Sequence, residues 1–173
     1  MLDRSFTMNG IDMREEYGLF VESVDRPIMA QLRERKATIP FRSGSIDFGA
    51  KYRNEMRITV KCGCRALSRD DIRELAYILS QKGQIVFWDD PDCYYIGRIY
   101  DEQDLQLVST LNKLTINFTC DPCTYGKEVK LNFKDHKDHS YKGTEETPCQ
   151  IRITNNNDYP VKNITIMIKE NPK

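Results

Sequence analysis

Three aspartates flank a proline in FWDDPDCYYIG, residues 87–97, and they are the first group in the sequence that could do chemistry. Asp89, Asp90 and Asp92 could supply carboxylates to a hydrolytic metal site or to acid–base catalysis. A calcium loop needs oxygen ligands at alternate positions and a central glycine, and the proline interrupts that pattern. Because Asp and Pro between two predicted strands are typical of a turn, the sequence favours a turn over a metal-dependent hydrolase.

Four cysteines have a spacing suited to metal binding, in the motifs Cys62-x-Cys64 and Cys120-x-x-Cys123. Four thiolates in a tetrahedron form a common structural zinc site, provided that the two motifs lie side by side in the fold. However, Cys62, Cys64 and Cys120 continue the apolar faces of predicted strands, where free cysteine behaves as a small hydrophobic residue. The sequence favours buried thiols, and a zinc-binding module with these four ligands is the alternative.

The remaining candidates for catalysis are two histidines. His136 and His139 lie in DHKDH on a polar segment, without the helical H-E-x-x-H arrangement of a metalloprotease. The sequence also contains no G-x-S-x-G motif and no glycine-rich phosphate loop. We therefore expect no enzyme, no catalytic residue and no cofactor.

Composition excludes several classes of partner. The 173 residues include 26 basic and 26 acidic side chains, a net charge of zero, so we expect no specific binding of nucleic acid. No stretch approaches the roughly 20 apolar residues of a membrane-spanning helix, and the N-terminus has no apolar signal segment. We expect a protein that folds in the cytosol, with reduced cysteines and with polar arms that are buried only against a partner.

The elements that must position these residues are mostly short strands. Phe6–Met8 and Ile11–Met13 flank Asn9-Gly10, the dipeptide typical of a two-residue hairpin turn. Met56–Cys64 alternates apolar and polar residues, as a half-buried strand does. Further strands are predicted at Leu19–Val24, Gln84–Trp88, Tyr94–Tyr100, Leu105–Val108 and Leu114–Cys120.

Two other elements interrupt the strands. One helix is predicted over residues 68–82, with Ser68 and Asp71 as a capping box and Gly83 as a left-handed residue that ends it. Residues 32–53 are polar and rich in turn residues, which predicts a long projecting hairpin. The fold class is therefore mainly β with one α-helix.

The composition divides the chain into three parts. Residues 1–127 form the main domain, residues 128–148 are a polar linker, and residues 149–173 are the start of a second β domain. The last part is predicted to hold strands at Gln150–Thr154 and Ile164–Lys169, joined by NNNDYP. Two strands do not hold a fold by themselves in water.

The order of five segments resembles the distal tail protein (Dit) family of phages with long, non-contractile tails and of their prophages. The segments are SFTMNGIDM, SGSIDFGAKYRNEMRITV, SRDDIRELAYILSQKG, QIVFWDDPDCYYIGRI and TINFTCDPCTYG, spread over residues 5–127. TPCQIRITNNNDYPVKNITIMIKEN also resembles the opening strands of the galectin-like domain that usually follows in the family.

The resemblance implies a β-sandwich or split-barrel-like domain related to tail-tube proteins. It implies a structural protein of the virion tail tip that assembles into a hexameric ring, joins the tail tube to the tail-associated baseplate proteins and lets DNA pass. We expect the contact between copies along residues 39–53 and in the N-terminal hairpin. The alternative is a β module that binds carbohydrate or zinc without catalysis.

Overall fold

The structure, a computed structural model, describes residues 4–49, 52–64, 66–102, 105–106, 112–132, 139, 141, 143–145, 147, 150–156, 158, 160 and 162. The chain divides into two units, Met1–Lys130 and Leu131–Lys173. The strands and helices given below lie in the first unit.

Eleven strands are formed by the described residues. They are β1 (Phe6–Met8), β2 (Ile11–Asp12), β3 (Phe20–Asp25), β4 (Lys36–Thr38), β5 (Ser45–Asp47), β6 (Met56–Cys64), β7 (Gly83–Phe87), β8 (Cys93–Arg98), β9 (Leu105–Gln106), β10 (Asn112–Cys120) and β11 (Tyr125–Gly126). Nine of them form one sheet in the order β2-β1-β7-β8-β10-β6-β3, with β11 beside β8 and β9 beside β10, while β4 and β5 form a separate two-stranded sheet. The mainly β class is confirmed.

The N-terminal hairpin forms as predicted. Asn9 and Gly10 have φ angles of 53° and 83°, and positive values at both positions define the two-residue turn that matches the twist of an antiparallel pair. Across this turn, Thr7 pairs with Asp12 and Met8 with Ile11.

A short helix, α1 (Met13–Tyr17), follows the hairpin directly. The Asp12 carboxylate accepts hydrogen bonds from the first backbone amides of the helix, and Gly18 ends the helix with a φ of 64°. The prediction of a single helix is therefore wrong, because an N-cap and a left-handed glycine suffice to hold one turn between two strands. Met13 and Tyr17 are the side chains that α1 buries.

The predicted helix is α2 (Arg69–Ser80). The Ser68 hydroxyl accepts from the Asp71 amide and the Asp71 carboxylate accepts from the Ser68 amide, so the capping box is formed. The prediction for the other end is wrong: Gln81 has extended backbone angles (φ −80°, ψ 148°), and Gly83 has no left-handed φ but starts β7.

The core lies against the two longest strands. All nine residues of β6 pair antiparallel with the nine of β10. In both strands, every second side chain was predicted to form an apolar face, and these side chains are buried. Three phenylalanines join this layer to the N-terminal hairpin, with ring centroids 6.1 Å apart for Phe6 and Phe87 and 5.9 Å apart for Phe6 and Phe118.

One backbone hydrogen bond links the segment before β1 to β3, the terminal strand of the sheet. The Arg4 carbonyl accepts from the amide of Val21 in β3 at 3.1 Å, and the Ser5 carbonyl accepts from the amide of Trp88, just after β7, at 3.2 Å. The segment before β1 thereby touches β3, the strand at the other end of the sheet. This contact agrees with the predicted split-barrel-like domain, in which the two ends of a sheet approach each other.

The second unit is described at few positions. The Tyr141 hydroxyl lies 2.6 Å from both the Glu145 carbonyl oxygen and the Thr147 hydroxyl. Residues 150–154 form no strand, so the strand predicted there is wrong. The partner strand predicted at residues 164–169 and the residue Cys149 lie outside the described residues.

Candidate assembly surface

The three aspartates of the 87–97 segment belong to a turn and have separate partners. Asp89 forms an ion pair with Arg26, whose guanidinium also lies 5.0 Å from the centroid of the Phe87 ring. Asp92 pairs with Lys127 at 2.6 Å, and the hydrogen bond and charge of that lysine lower the pKa of the Asp92 carboxyl. The Asp90 carbonyl accepts from the Cys93 amide, which closes the turn.

These contacts do not build a hydrolytic site. The carboxylates of Asp89 and Asp92 are drawn to basic residues from different parts of the chain, rather than to a shared metal or substrate position. Among the described residues, no cluster of three or more His, Cys, Asp or Glu side chains could hold a metal ion. The turn interpretation of the sequence is the one that the geometry supports.

The four cysteines of the zinc alternative are not brought together. Cys62 lies opposite Leu114 in the ladder and Cys120 lies opposite Met56, so six residue steps separate them along the strands. At about 3.3 Å per residue, this separation is roughly 20 Å, far beyond the reach of one zinc ion. Burial raises the pKa of Cys62 and of Cys120 to about 12, as expected for thiols packed as hydrophobic residues.

The other sequence candidates add no site. His139 is exposed, and His136 lies outside the described residues, so their relative position is not defined. None of the helices in the described part of the chain is long and apolar enough to cross a membrane.

The feature that stands out is the hairpin of residues 32–53, which we call the finger. Its base is held by a bridge between Leu32 and Arg53 and by a hydrogen bond of 2.8 Å from the Arg33 amide to the Tyr52 carbonyl. Further out, β4 pairs with β5 through the register Lys36–Asp47 to Thr38–Ser45. The predicted projecting hairpin is therefore confirmed.

Almost every described side chain of the finger is exposed, including its aromatic ones. Phe41 at the tip is fully exposed, Phe48 is 64% exposed and Tyr52 is 56% exposed. Phe41 has a φ of 63°, a left-handed value that is rare for a bulky residue. Exposed aromatic side chains on a projecting arm are typical of an interaction surface, because apolar side chains contribute to stability only when they are removed from water.

A second exposed apolar group lies at the base of the finger, in the loop after β3. Ile28 is fully exposed and Met29 is 55% exposed. β3 is also the terminal strand of the sheet, and its free side is met by Arg4 at Val21. The edge of β3, this loop and the finger follow one another along the chain, and together we call them the candidate assembly surface.

A family model described as a phage tail protein RIFT-related domain matches residues 15–120. The chain belongs to this phage tail protein family. The match begins in α1 and ends at the last residue of β10, so it includes the finger and both strands of the central ladder.

Among solved structures, this tail protein resembles SPP1 Dit (gp 19.1), described as a paradigm of the hub adsorption apparatus in phages that infect Gram-positive bacteria. The TM-score is 0.61 at 25% sequence identity, over 73% of this chain and 53% of that one. The chain thus spans about half the length of the solved relative. No curated protein matches the chain. The resemblance to the distal tail protein family, read from the order of the sequence segments, is confirmed.

Sequence reasoning located the finger of this tail protein but missed which of its residues are displayed. Aromatic residues are more often buried than exposed, so Phe41 and Phe48 gave no signal of their own. The contact of Arg4 with Val21 joins residues 17 positions apart and has no local signature. By contrast, α1 could have been found from Asp12, Glu15 and Gly18, which have the spacing of an N-cap, a capping-box acid and a C-terminal glycine.

Proposed function

We propose that this tail protein is a structural hub component at the tip of a long, non-contractile phage tail, where identical copies close into a ring of six. The ring joins the tail tube to the tail-associated baseplate proteins and surrounds the passage for DNA. The observation that carries the proposal is the finger, which displays Phe41, Phe48 and Tyr52 to solvent in a member of a phage tail family. These side chains are buried when a second copy covers them.

A ring follows from the geometry of such an arm. The finger of one copy contacts a different surface on the next copy, so the contact is head-to-tail, and a head-to-tail contact whose rotation closes leaves no free end. The likeness to SPP1 Dit, a protein of a phage adsorption hub, supports the position at the tail tip. The role is mechanical: the protein acts by assembling, without an active site.

The proposal is tested by size-exclusion chromatography with light scattering, over a range of protein concentrations, followed by negative-stain imaging. We expect a species with the mass of six copies and ring-shaped particles with a central opening. A chain that stays monomeric at the highest concentration would overturn the ring. Gold-labelled antibody on intact virions should mark the end of the tail, and labelling along the tube would contradict the position.

A matched pair of variants separates the finger from general surface effects. Phe41→Ser with Phe48→Ser removes two exposed aromatic side chains from the finger, whereas Tyr77→Ser with Tyr100→Ser removes two that are 68% exposed elsewhere. We expect the first pair to weaken assembly and the second to leave it intact. Equal behaviour of the two pairs would contradict a contact through the finger.

A further inference from the structure

The finger has a strong positive charge within a chain of zero net charge. Residues 32–53 contain six basic and two acidic side chains, a net charge of +4. Arg33, Arg35, Lys36 and Arg42 are all exposed. Lys36 lies 3.5 Å from Glu34, but an exposed pair of this kind is weak and leaves most of the positive field directed outward.

The balancing negative charge is concentrated just before the finger. From the N-cap Asp12 to the end of β3, the chain has five acidic residues and one basic residue, a net charge of −4. The exposed carboxylates in this stretch lie on α1 and β3, and we call them the acidic surface: Glu15, Glu16, Glu22 and Asp25. In the described part of the chain, none of these four forms an ion pair.

Further acidic residues lie close to α1. Burial raises the pKa of the Tyr17 hydroxyl, and the negative charges of Glu74, Glu16 and Asp71 raise it further. Glu74 and Asp71 belong to the first half of α2, which also contains Arg69 and Arg73, so this half of the helix adds a net charge of −1 near α1. A positively charged partner would be attracted to this side of the domain.

The shape of β3 suits docking of an arm. It is the terminal strand of the sheet, and no described strand pairs with its outer edge. Arg4 contacts that edge at two points: its carbonyl accepts from the Val21 amide, and its guanidinium lies 3.5 Å from the Glu22 carbonyl oxygen. Its register with β6 shifts between Val21 and Ser23, so Glu22 occupies a bulge. A bulge and a charged residue disfavour non-specific pairing of another strand with this edge. They leave the Glu22 carboxylate accessible to a positively charged partner.

An open cleft next to α1 lies beside the acidic surface. Val86, Trp88 and Pro91 line it together with Asp12, Arg14 and Glu15, so its lining is partly apolar and carries two acidic side chains and one basic side chain. The tip of the finger has an exposed aromatic ring, Phe41, next to the basic side chain of Arg42. An aromatic ring suits the apolar residues of the cleft, and a basic side chain suits its carboxylates.

We propose that the finger of one copy docks on the acidic surface of the next copy. This inference rests on the proposed ring. From Leu32 to Phe41 the finger has nine residue steps, enough to reach up to about 30 Å from its base. Every copy has one finger and one acidic surface, so each contact in a closed ring uses one of each and leaves none unmatched.

DNA is the other polyanion that a basic finger with aromatic residues could bind. The equal and opposite charge on the same chain favours a second copy instead. A carboxylate surface next to the finger repels phosphates, whereas it attracts the finger of a neighbour.

The test uses charge reversal on both sides of the contact. The finger variant is Arg35→Glu with Arg42→Glu, and the surface variant is Glu15→Lys with Glu16→Lys. Each variant alone places like charges in every contact, so we expect the dissociation constant of assembly, from sedimentation, to rise at least about tenfold. Parent assembly should also weaken between 0.1 M and 0.5 M NaCl.

Mixing the two variants gives the decisive result. A reversed finger meets a reversed surface, and a native finger meets a native surface, so alternating rings should form from two variants that do not assemble alone. Recovery on mixing also shows that both variants are folded. Glu22→Lys with Asp25→Lys is a second surface variant that leaves α1 untouched and should behave in the same way.

Glu102→Lys with Glu128→Lys is the control, because it makes the same change in net charge at exposed positions outside the finger, the acidic surface and the cleft. It should assemble like the parent.

The outcomes distinguish this contact from the ring itself. A parent chain that stays monomeric overturns both. A parent that assembles while both surface variants assemble equally well overturns only the contact. The contact is also overturned if the two reversed variants fail to assemble on mixing, or if the finger variant loses binding to a duplex DNA oligonucleotide while the surface variants keep normal assembly.

Discussion

The side chain of Asn9 occupies the space that a side chain at Gly83 would need. A Cβ atom added at position 83 would overlap the Asn9 Oδ1 atom, which itself accepts a hydrogen bond of 3.0 Å from the Gln84 amide. The Asn9 amide also donates to the Gln84 carbonyl at 2.9 Å. The turn of the first hairpin is thus fastened to the start of β7, across 75 positions of sequence.

Gly83→Ala should therefore destabilise the protein. Either the Asn9 side chain must leave its hydrogen bond or the backbone must shift, and overpacking of this kind costs about 1–3 kcal/mol. Denaturant unfolding measures the loss. Gly126→Ala is the control, because a Cβ at position 126 meets nothing within 4 Å, and it should change the unfolding free energy by less than about 0.5 kcal/mol.

Asn9→Gly tests the cause. It removes the obstructing side chain and keeps a residue that tolerates a positive φ. In the Asn9→Gly background, Gly83→Ala should cost less than it does in the parent. If the two substitutions were simply additive, the overlap with Asn9 would not be the cause.

Gly83 also shows where local reasoning stops. A glycine after a predicted helix is typical of a left-handed C-terminal residue, but here the helix ends earlier and the glycine is needed for a distant neighbour. β6 was predicted with its observed bounds, because its alternation of buried and exposed residues is a local property. The roughly 20 Å between Cys62 and Cys120 depends on the pairing register, which no local pattern encodes.

The candidate assembly surface was predictable in part. Turn residues and polarity indicated the finger, but the zero net charge concealed a split into a basic finger and an acidic surface on α1 and β3. A sum over the whole chain cannot show such a split. It becomes visible only when charges are counted for each structural element separately.

The buried thiols should be unreactive in the folded protein. Alkylation requires the thiolate, and burial raises the pKa of Cys62 and Cys120 to about 12. With iodoacetamide at pH 8, mass spectrometry should find Cys123, which is half-buried in a loop, modified before either of them. In 6 M guanidinium all three should react. Equal rates for the three thiols in the folded state would contradict this packing.

The cap of α2 should make stability depend on acid pH. Hydrogen bonds from Ser68 lower the pKa of Asp71 from its ordinary value of 3.8. A carboxyl with a depressed folded pKa contributes stability that is fully present above pH 3.8 and is lost as pH falls through the folded value. Asp71→Asn should lower the denaturation midpoint at pH 7, and its difference from the parent should shrink below pH 3.8.

Asp70→Asn is the neighbouring control for this effect. Asp70 pairs with Arg73, but both side chains are highly exposed, and such pairs contribute little to stability. Its midpoint should stay close to that of the parent at pH 7. A constant difference between Asp71→Asn and the parent from pH 7 to pH 2.5 would contradict the role of the Asp71 carboxylate.

Phe41 should matter for assembly and not for the stability of a single copy. A left-handed φ costs a bulky residue about 1 kcal/mol, and the fully exposed ring recovers none of this cost within its own copy. Phe41→Gly removes that strain, while the greater freedom of glycine in the unfolded chain costs a similar amount. We therefore expect the unfolding free energy of dilute, monomeric protein to change by less than about 0.5 kcal/mol.

The same substitution should weaken ring formation, because it deletes the aromatic side chain that the neighbouring copy covers. Sedimentation over a concentration series measures this loss. Gly44→Ala is the matched control at the finger tip: with a φ of 83° at position 44, the new Cβ strains the turn but removes no aromatic ring. If Phe41→Gly assembles weakly and Gly44→Ala assembles normally, the aromatic side chain of Phe41 makes the contact between copies. The opposite pattern would show that the finger acts through its backbone shape instead.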